Sequence, residues 1–237
     1  MSETFISFYS LVDISHKSGI FALYILQIPR TLNCLLTWVA GEKRAHQKLI
    51  LRKSTMKPLM LTLGIVNTYD KIKTLDAHYR AIARAAPICH AFGFHLALYD
   101  FPFKMNAEEL VAFVMEKTTI GESGAYLKLL YEKNHLSVSD LPKKGFQPQF
   151  GEIVVTTSKP DQKKMIMPVK IAEEALKNRS FLFLVGLGHK GLPKELFLRG
   201  KYHLDITCKG LSLETCTAIG AIPAHLSGLM TGLATKK

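Results

Sequence analysis

The sequence predicts an α/β domain: a mostly parallel sheet with helices on both faces. From Leu61 onward, short apolar runs alternate with segments of helical spacing, the order that produces a parallel sheet. The runs are apolar throughout, as in strands covered on both faces. Composition agrees: 48% apolar and 21% charged residues describe a globular chain with a sizeable core. No uninterrupted apolar stretch reaches the roughly 18 residues of a membrane-crossing helix.

Leu61–Val66 is the first strand, ending in Asn67. Thr74–Cys89 has helical spacing, with Leu75, Tyr79, Ile82 and Ala86 on one face. His95–Leu98 is the second strand, closed by Asp100-Phe101-Pro102. Asn106 can cap a helix over Ala107–Lys117, whose first turn holds Glu108 and Glu109, acids that the helix dipole favours there. Glu122–Lys133 reads as a third helix and Ser137–Phe150, with two prolines and paired lysines, as a loop. Ile153–Thr156 is the next strand, and Pro168 suits the first turn of a helix over Val169–Asn178. Strands Phe181–Val185 and Tyr202–Ile206 follow. Ser212 can cap a final helix to about Leu229, which Pro223 must kink or interrupt.

Residues 1–59 read as an N-terminal extension and residues 60–237 as the α/β domain. The extension carries eight Lys/Arg against three Asp/Glu and lacks strand–helix alternation. A signal peptide fits poorly, because Glu3 and Asp13 precede its apolar part. An interfacial anchor over Gly19–Lys53 is the second reading. The favoured expectation is a stretch outside the folded unit, with translation starting at Met56 or Met60.

Net charge is +12, which favours polyanionic partners, nucleic acid first and anionic membrane second, over a basic protein with neither. No run of five like charges concentrates it. Cys34, Cys89, Cys208 and Cys216 are widely spaced, with no Cys-x-x-Cys and no histidine pair at zinc spacing. Reduced thiols in a cytoplasmic protein and no metal are expected. A Cys208–Cys216 disulfide has no positive support.

The most informative segment is Gly186-Leu187-Gly188-His189-Lys190-Gly191, a G-x-G-x-x-G spelling behind an apolar strand. A dinucleotide fingerprint is one reading, with glycines letting backbone approach a pyrophosphate. It sits on a late strand, however. Arg199-Gly200 ends the helix after Pro193 early, and no acid follows at the usual distance. A glycine-rich turn without a ligand is the second reading.

The third comes from resemblance. Val185 to Pro193 resembles the second motif of SPOUT-class RNA methyltransferases, an apolar strand followed by G-x-E-x-x-G-L/I-P/S. Ser212-Leu213-Glu214-Thr215-Cys216-Thr217-Ala218 resembles their third motif, S-L-N-x-S-x-A. The pattern is most similar to an uncharacterised archaeal branch of that class. The resemblance implies a C-terminal trefoil knot, rare among folds, and S-adenosylmethionine held by three loops, here Thr156–Ser158, Val185–Gly191 and Ile206–Ala218. It further implies a homodimer formed through helices beside the knot, and RNA, tRNA or rRNA, as substrate. Carried onto this chain, the cofactor-binding set is Thr156, Val185, Gly186, Gly188, Gly191, Ile206, Leu211, Ser212, Leu213 and Ala218. Val185, Leu187, Ile206, Leu211 and Leu213 could line an adenine slot, and the glycines let backbone approach the ligand. Capping is the favoured role of Ser212.

Many SPOUT 2′-O-methyltransferases carry Glu where this chain has Gly188 and Asn where it has Glu214, which argues against ribose methylation by their mechanism. Asn67 and Arg84, or Arg80, loosely match their early Asn and Arg. Glu214 and then His189 are the acid–base candidates, with Arg84 completing the catalytic set. Asp205 and His203, expected on one strand face, are weaker ones. RNA contact is expected from Lys143, Lys144, Lys163, Lys164 and Lys190, with Lys159 and Lys194 flanking and Phe146 and Phe150 for stacking on unpaired bases. The leading functional reading is an S-adenosylmethionine-dependent RNA methyltransferase. A non-catalytic RNA-binding protein of the same fold is second and a nicotinamide-dependent oxidoreductase third.

Overall fold

The computed structural model describes residues 59–117 and 123–236. The expected N-terminal extension, apart from Leu59, lies outside the described residues. Six strands form one sheet: β1 (Leu61–Asn67), β2 (His95–Tyr99), β3 (Leu136–Ser139), β4 (Glu152–Thr156), β5 (Phe181–Leu187) and β6 (Tyr202–Leu204). Their order is β3-β2-β1-β5-β4-β6, and every adjacent pair is parallel. The helices are α1 (Asp76–Phe92), α2 (Ala107–Lys117), α3 (Ser123–Glu132), α4 (Pro168–Ala175), α5 (Lys194–Arg199) and α6 (Thr215–Ala234).

Strand β3 takes Ser137–Ser139 out of the loop expected over Ser137–Phe150. Leu136-Ser-Val-Ser is too short and polar to register as a strand, yet it pairs Leu96–Tyr99 at the sheet edge. Strand β6 is shorter than expected, because Asp205 turns its carboxylate into the following loop, accepting bonds from Thr207 N at 2.9 Å and Gly210 N at 2.6 Å. Asn106 caps α2 as expected: its Oδ1 accepts from Glu109 N and its own N–H donates to Glu109 Oε2, both at 2.9 Å. Pro223 neither ends nor splits α6, which runs unbroken past it.

Right-handed crossovers explain how the helices divide. The steps β1→β2, β2→β3 and β4→β5 run one way across the sheet, and β3→β4 and β5→β6 the other. Accordingly α1–α4, joined by α6, share the larger core with Leu63, Ile65, Leu96, Leu98 and Phe183. The opposite face, with Val66, Tyr99, Leu182 and Leu184, is covered by Leu196 and Phe197 of α5 and by Leu141, Phe146 and Phe150 of the β3–β4 connection. Helices therefore lie on both faces, unequally.

Helix α6 packs against α1 and α4 through Ile219, Ile222 and Leu226, all buried. Among the described helices it is the one long and apolar enough to cross a membrane by length and composition.

Phe183 is fully buried, so Phe183→Ala should cost about 3–5 kcal/mol. Leu198, 81% exposed, should tolerate alanine to within about 0.5 kcal/mol. Urea unfolding followed by circular dichroism compares them.

Candidate functional site

All six strands are parallel, so their C-terminal ends share one rim, where loops can converge on a ligand. There a cleft of about 820 Å³ opens, within the range that encloses small-molecule ligands. Thr156–Ser158 at the end of β4, Val185–Leu192 at the end of β5, Leu204–Ile206 at the end of β6 and Leu211–Cys216 leading into α6 line it. Tyr69 after β1 and Ala77, Arg80, Ala81 and Arg84 of α1 form the other wall.

The ten residues assigned above to a cofactor all line this cleft, from Thr156 to Ala218. Thr156 Oγ1 donates to Leu184 O at 2.8 Å, binding β4 to β5. Leu211 is 58% exposed and, with Val185, Leu187, Leu204, Ile206 and Leu213, gives the cleft an apolar surface. Ser212 is not the cap of the last helix. The helix starts later, and Glu214 is its N-cap, with Oε2 accepting from Cys216 N at 2.9 Å and Thr217 N at 3.3 Å.

Two of the three glycines also meet a demand of the chain's own packing. A Cβ on Gly186 would lie 2.5 Å from Gly191 C and 2.8 Å from Leu192 N, where the loop folds back on its strand. Gly188 has φ +132°, and a Cβ there would meet Thr68 Oγ1 at 3.1 Å and Tyr69 Cδ2 at 3.2 Å. The fingerprint reading loses its receiving helix, since α5 spans six residues behind Pro193.

Of the catalytic candidates, Glu214, His189 and Arg84 all border the cleft, and Arg84 Nη1 donates to Cys216 Sγ at 3.1 Å. His203 does not reach it. That ring is buried, with Nδ1 accepting from Asp161 N at 3.1 Å and Nε2 facing Phe197 O at 3.0 Å. Asp205 lies beyond β6, so the two do not share a strand face. Burial pushes the Asp205 carboxyl upward, but the bonds from Thr207 and Gly210 outweigh it and hold the group below its ordinary value.

Of the five lysines assigned to RNA, Lys190 lines the cleft. Lys143, Lys144 and Lys163 are exposed elsewhere. Lys164 is committed: its Nζ donates to Phe197 O, Leu198 O and Gly200 O at 2.9–3.0 Å, satisfying the last carbonyls of α5. Phe146 is also engaged, edge-on to Tyr99 at 5.4 Å and beneath the Arg199 guanidinium at 5.1 Å, and Phe150 packs on the same face. Both rings are thus partly buried in the protein's own packing. Cys89, Cys208 and Cys216 are free thiols, and no cluster fit to hold a metal occurs among the described residues.

Sequence reading named Asn67 as a loose motif match but missed its structural part on the β1 side. Asn67 is fully buried. Its Nδ2 donates to Asp70 O at 2.8 Å and Asp100 O at 2.9 Å, while its Oδ1 accepts from Tyr69 N at 3.0 Å. Buried His78 completes the knot of bonds: Nε2 lies 3.1 Å from Asn67 Oδ1 and Nδ1 accepts from Leu75 N at 3.0 Å. Nε2 must therefore carry the single ring proton, and the imidazole is neutral. Thr215 Oγ1, also missed, donates to Gly186 O at 3.1 Å and ties α6 to the glycine loop.

The chain belongs to the family described as "protein of unknown function (DUF531)", whose model matches residues 61–227. It is 52% identical over 164 residues to "Uncharacterized protein MJ0224" of Methanocaldococcus jannaschii, covering 69% of this chain and 91% of that one. Its fold is shared with a solved probable methyltransferase from Bordetella pertussis Tohama I (TM-score 0.51, 14% identity, 73% of this chain and 96% of that one). A probable methylase family protein from Haemophilus influenzae Rd KW20 is also similar (TM-score 0.49, 18% identity, 77% and 70% covered).

Burial lowers the His78 proton affinity. Burial and His135 push His95 down to about 4, and burial lowers His135 as well. The unfolded chain protonates such groups near pH 6.5, so their contribution to stability is complete above that value and lost as pH falls through it toward the folded values. Thermal midpoints should therefore drop from pH 7.5 to pH 5. His78→Gln should melt lower at pH 7.5 and show a shallower acid slope; an equal slope would assign the loss to other groups.

Proposed function

We propose that this protein is an S-adenosylmethionine-dependent RNA methyltransferase of the SPOUT class. One observation carries the reading. The three loops that the motif resemblance singles out, far apart in sequence, converge with the N-terminus of α6 on a single cleft. The Bordetella protein that shares the fold is itself described as a probable methyltransferase. When bound, S-adenosylmethionine supplies an electrophilic methyl group on a sulfonium for in-line displacement.

The lining fits such a ligand. Leu187, Ile206, Leu211 and Leu213 offer an apolar surface for adenine, and the backbone of the three loops offers polar groups beside it. Arg84, across the cleft, suits an anionic group of either substrate. Glu214 is the residue proposed to take the proton from the acceptor. Lys143, Lys144, Lys163 and Lys190 would contact phosphates from the surface.

The same reading includes the knot and the dimer. The chain returns from the edge strand β6 to α6, which packs on α1 and α4, the course that a knot would require. The remainder of α6 offers a second copy an apolar flank, where Gly228 and Gly232 have open space at Cβ. Sedimentation equilibrium showing only monomer at micromolar concentration would remove the dimer. The second reading, RNA binding without transfer, draws support from Gly188 and Glu214, which replace the Glu and Asn of many relatives.

Calorimetry on the full chain should show binding of S-adenosylmethionine and none of NAD(H). Leu211→Asp should weaken binding about tenfold, the worth of one lost apolar contact, at unchanged thermal midpoint, because Leu211 is 58% exposed. No binding at millimolar ligand would end the methyltransferase reading. Glu214→Gln keeps an acceptor for the Cys216 and Thr217 amides and removes the charge. It should cost under about 1 kcal/mol of stability and depress methyl transfer to bulk tRNA or rRNA; full transfer would clear Glu214 of the proton-accepting role.

A further inference from the structure

Tyr69 stands out among the cleft residues. It is 53% exposed and borders the cleft, yet the backbone that carries it is tied down on every side. Its N–H donates to Asn67 Oδ1 at 3.0 Å. Thr68, just before it, donates twice to Leu187 O, from N at 3.0 Å and from Oγ1 at 2.9 Å. Asp70, just after it, gives its carbonyl to Asn67 Nδ2 at 2.8 Å and accepts on Oδ1 from Ile72 N at 2.7 Å and Lys73 N at 2.9 Å. The ring stands edge-on to buried His78, with centroids 6.4 Å apart.

Gly188 is part of the same arrangement. The loop after β1 comes so close that a Cβ at Gly188 would touch Tyr69 Cδ2 at 3.2 Å and Thr68 Oγ1 at 3.1 Å. A side chain at Gly188 would be strained at φ +132° and would make Tyr69 and Thr68 give by a few tenths of an ångström. Beside Tyr69, α1 turns Arg80 and Arg84 to the cleft, one helical turn apart. Among the described residues Arg80 is held only by an exposed pair with Asp76 at 3.3 Å, a weak tie. Arg84 leans on a thiol, a weak acceptor.

A rigid, half-exposed aromatic ring beside two arginine forks has the chemistry of a stacking platform for an unpaired nucleobase, with its flanking phosphate on the guanidinium groups. A fixed loop has already lost the freedom that binding would otherwise take away. We infer that Tyr69 stacks on an unpaired base of the substrate RNA while Arg80 and Arg84 hold the adjacent phosphate, so that the enzyme selects single-stranded nucleotides by their base. The inference rests on the RNA methyltransferase reading for its substrate, but its test does not need methyl transfer.

The test compares two fluorescein-labelled probes on the full chain: a single-stranded RNA of about 12 mixed nucleotides, within the span such sites cover, and an abasic ribose–phosphate chain of equal length. The wild type should bind the RNA about tenfold tighter than the abasic chain, as one stacked base provides. Tyr69→Phe should keep that ratio. Tyr69→Ala and Tyr69→Leu should abolish it, the leucine holding the loop's packing against Gly188 without a π face. Both should leave the far-ultraviolet circular dichroism unchanged, because Tyr69 is 53% exposed. Arg84→Ala should weaken both probes alike. Equal binding of the two probes by the wild type, or an undiminished ratio in both Tyr69→Ala and Tyr69→Leu, overturns the inference. Failure of S-adenosylmethionine to bind the wild type overturns the methyltransferase reading and leaves the probe ratio to decide Tyr69 by itself.

Discussion

The cleft hangs from the last two residues of β5. Gly186 O accepts from Thr215 Oγ1, which anchors the start of α6. Leu187 O accepts twice from Thr68, which fixes the loop after β1. Both arrangements need the chain to turn back tightly past Gly186, where even a methyl group would overlap the Gly191–Leu192 backbone. One strand end thus fixes both walls of the cleft, and at Gly186 the glycine spelling records a packing demand.

How much of this could be read from the residues follows from the range of each signal. Strands β1, β2, β4 and β5 were legible because continuous apolar runs report burial on both faces. The Asn106–Glu109 cap was legible because both partners lie within one helical turn. The three loops that the motif resemblance singles out line one cleft. What stayed hidden depends on distant partners. Lys164 reads as a surface lysine until the carbonyls at the end of α5, over thirty residues on, claim it. His203 and Phe146 are absorbed in the same way by Phe197 and Tyr99. Tyr69 and His78 carry no local pattern; only the approach of Gly188 and the burial of Asn67 give them meaning.

The two faces of the sheet differ in kind. One carries α1–α4 and α6 over an extended apolar core; the other rests on a six-residue helix and an irregular connection. Crossover handedness accounts for this once the strand order is known, but strand order lies in pairings between distant segments and has no local spelling. The alternation of residues along β1 then follows, with Leu63 and Ile65 on one side and Val66 on the other.

The position of β1 has a consequence for the order in which the molecule is made. Its neighbours are β2, close behind it in the chain, and β5, whose approach is marked by Met60 N donating to Ser180 Oγ across 120 residues. As the polypeptide leaves the ribosome, β1, β2 and β3 can pair early, with α1–α3 on one face and one flank of β1 exposed. That flank waits for nearly the whole chain, since such distant parallel pairings come late. The cleft waits longer still, because Thr215 emerges after β5 and β6 are complete. A nascent or truncated chain can therefore hold half a sheet and no cleft at all, and the open edge of β1 is where such a chain would meet its neighbours.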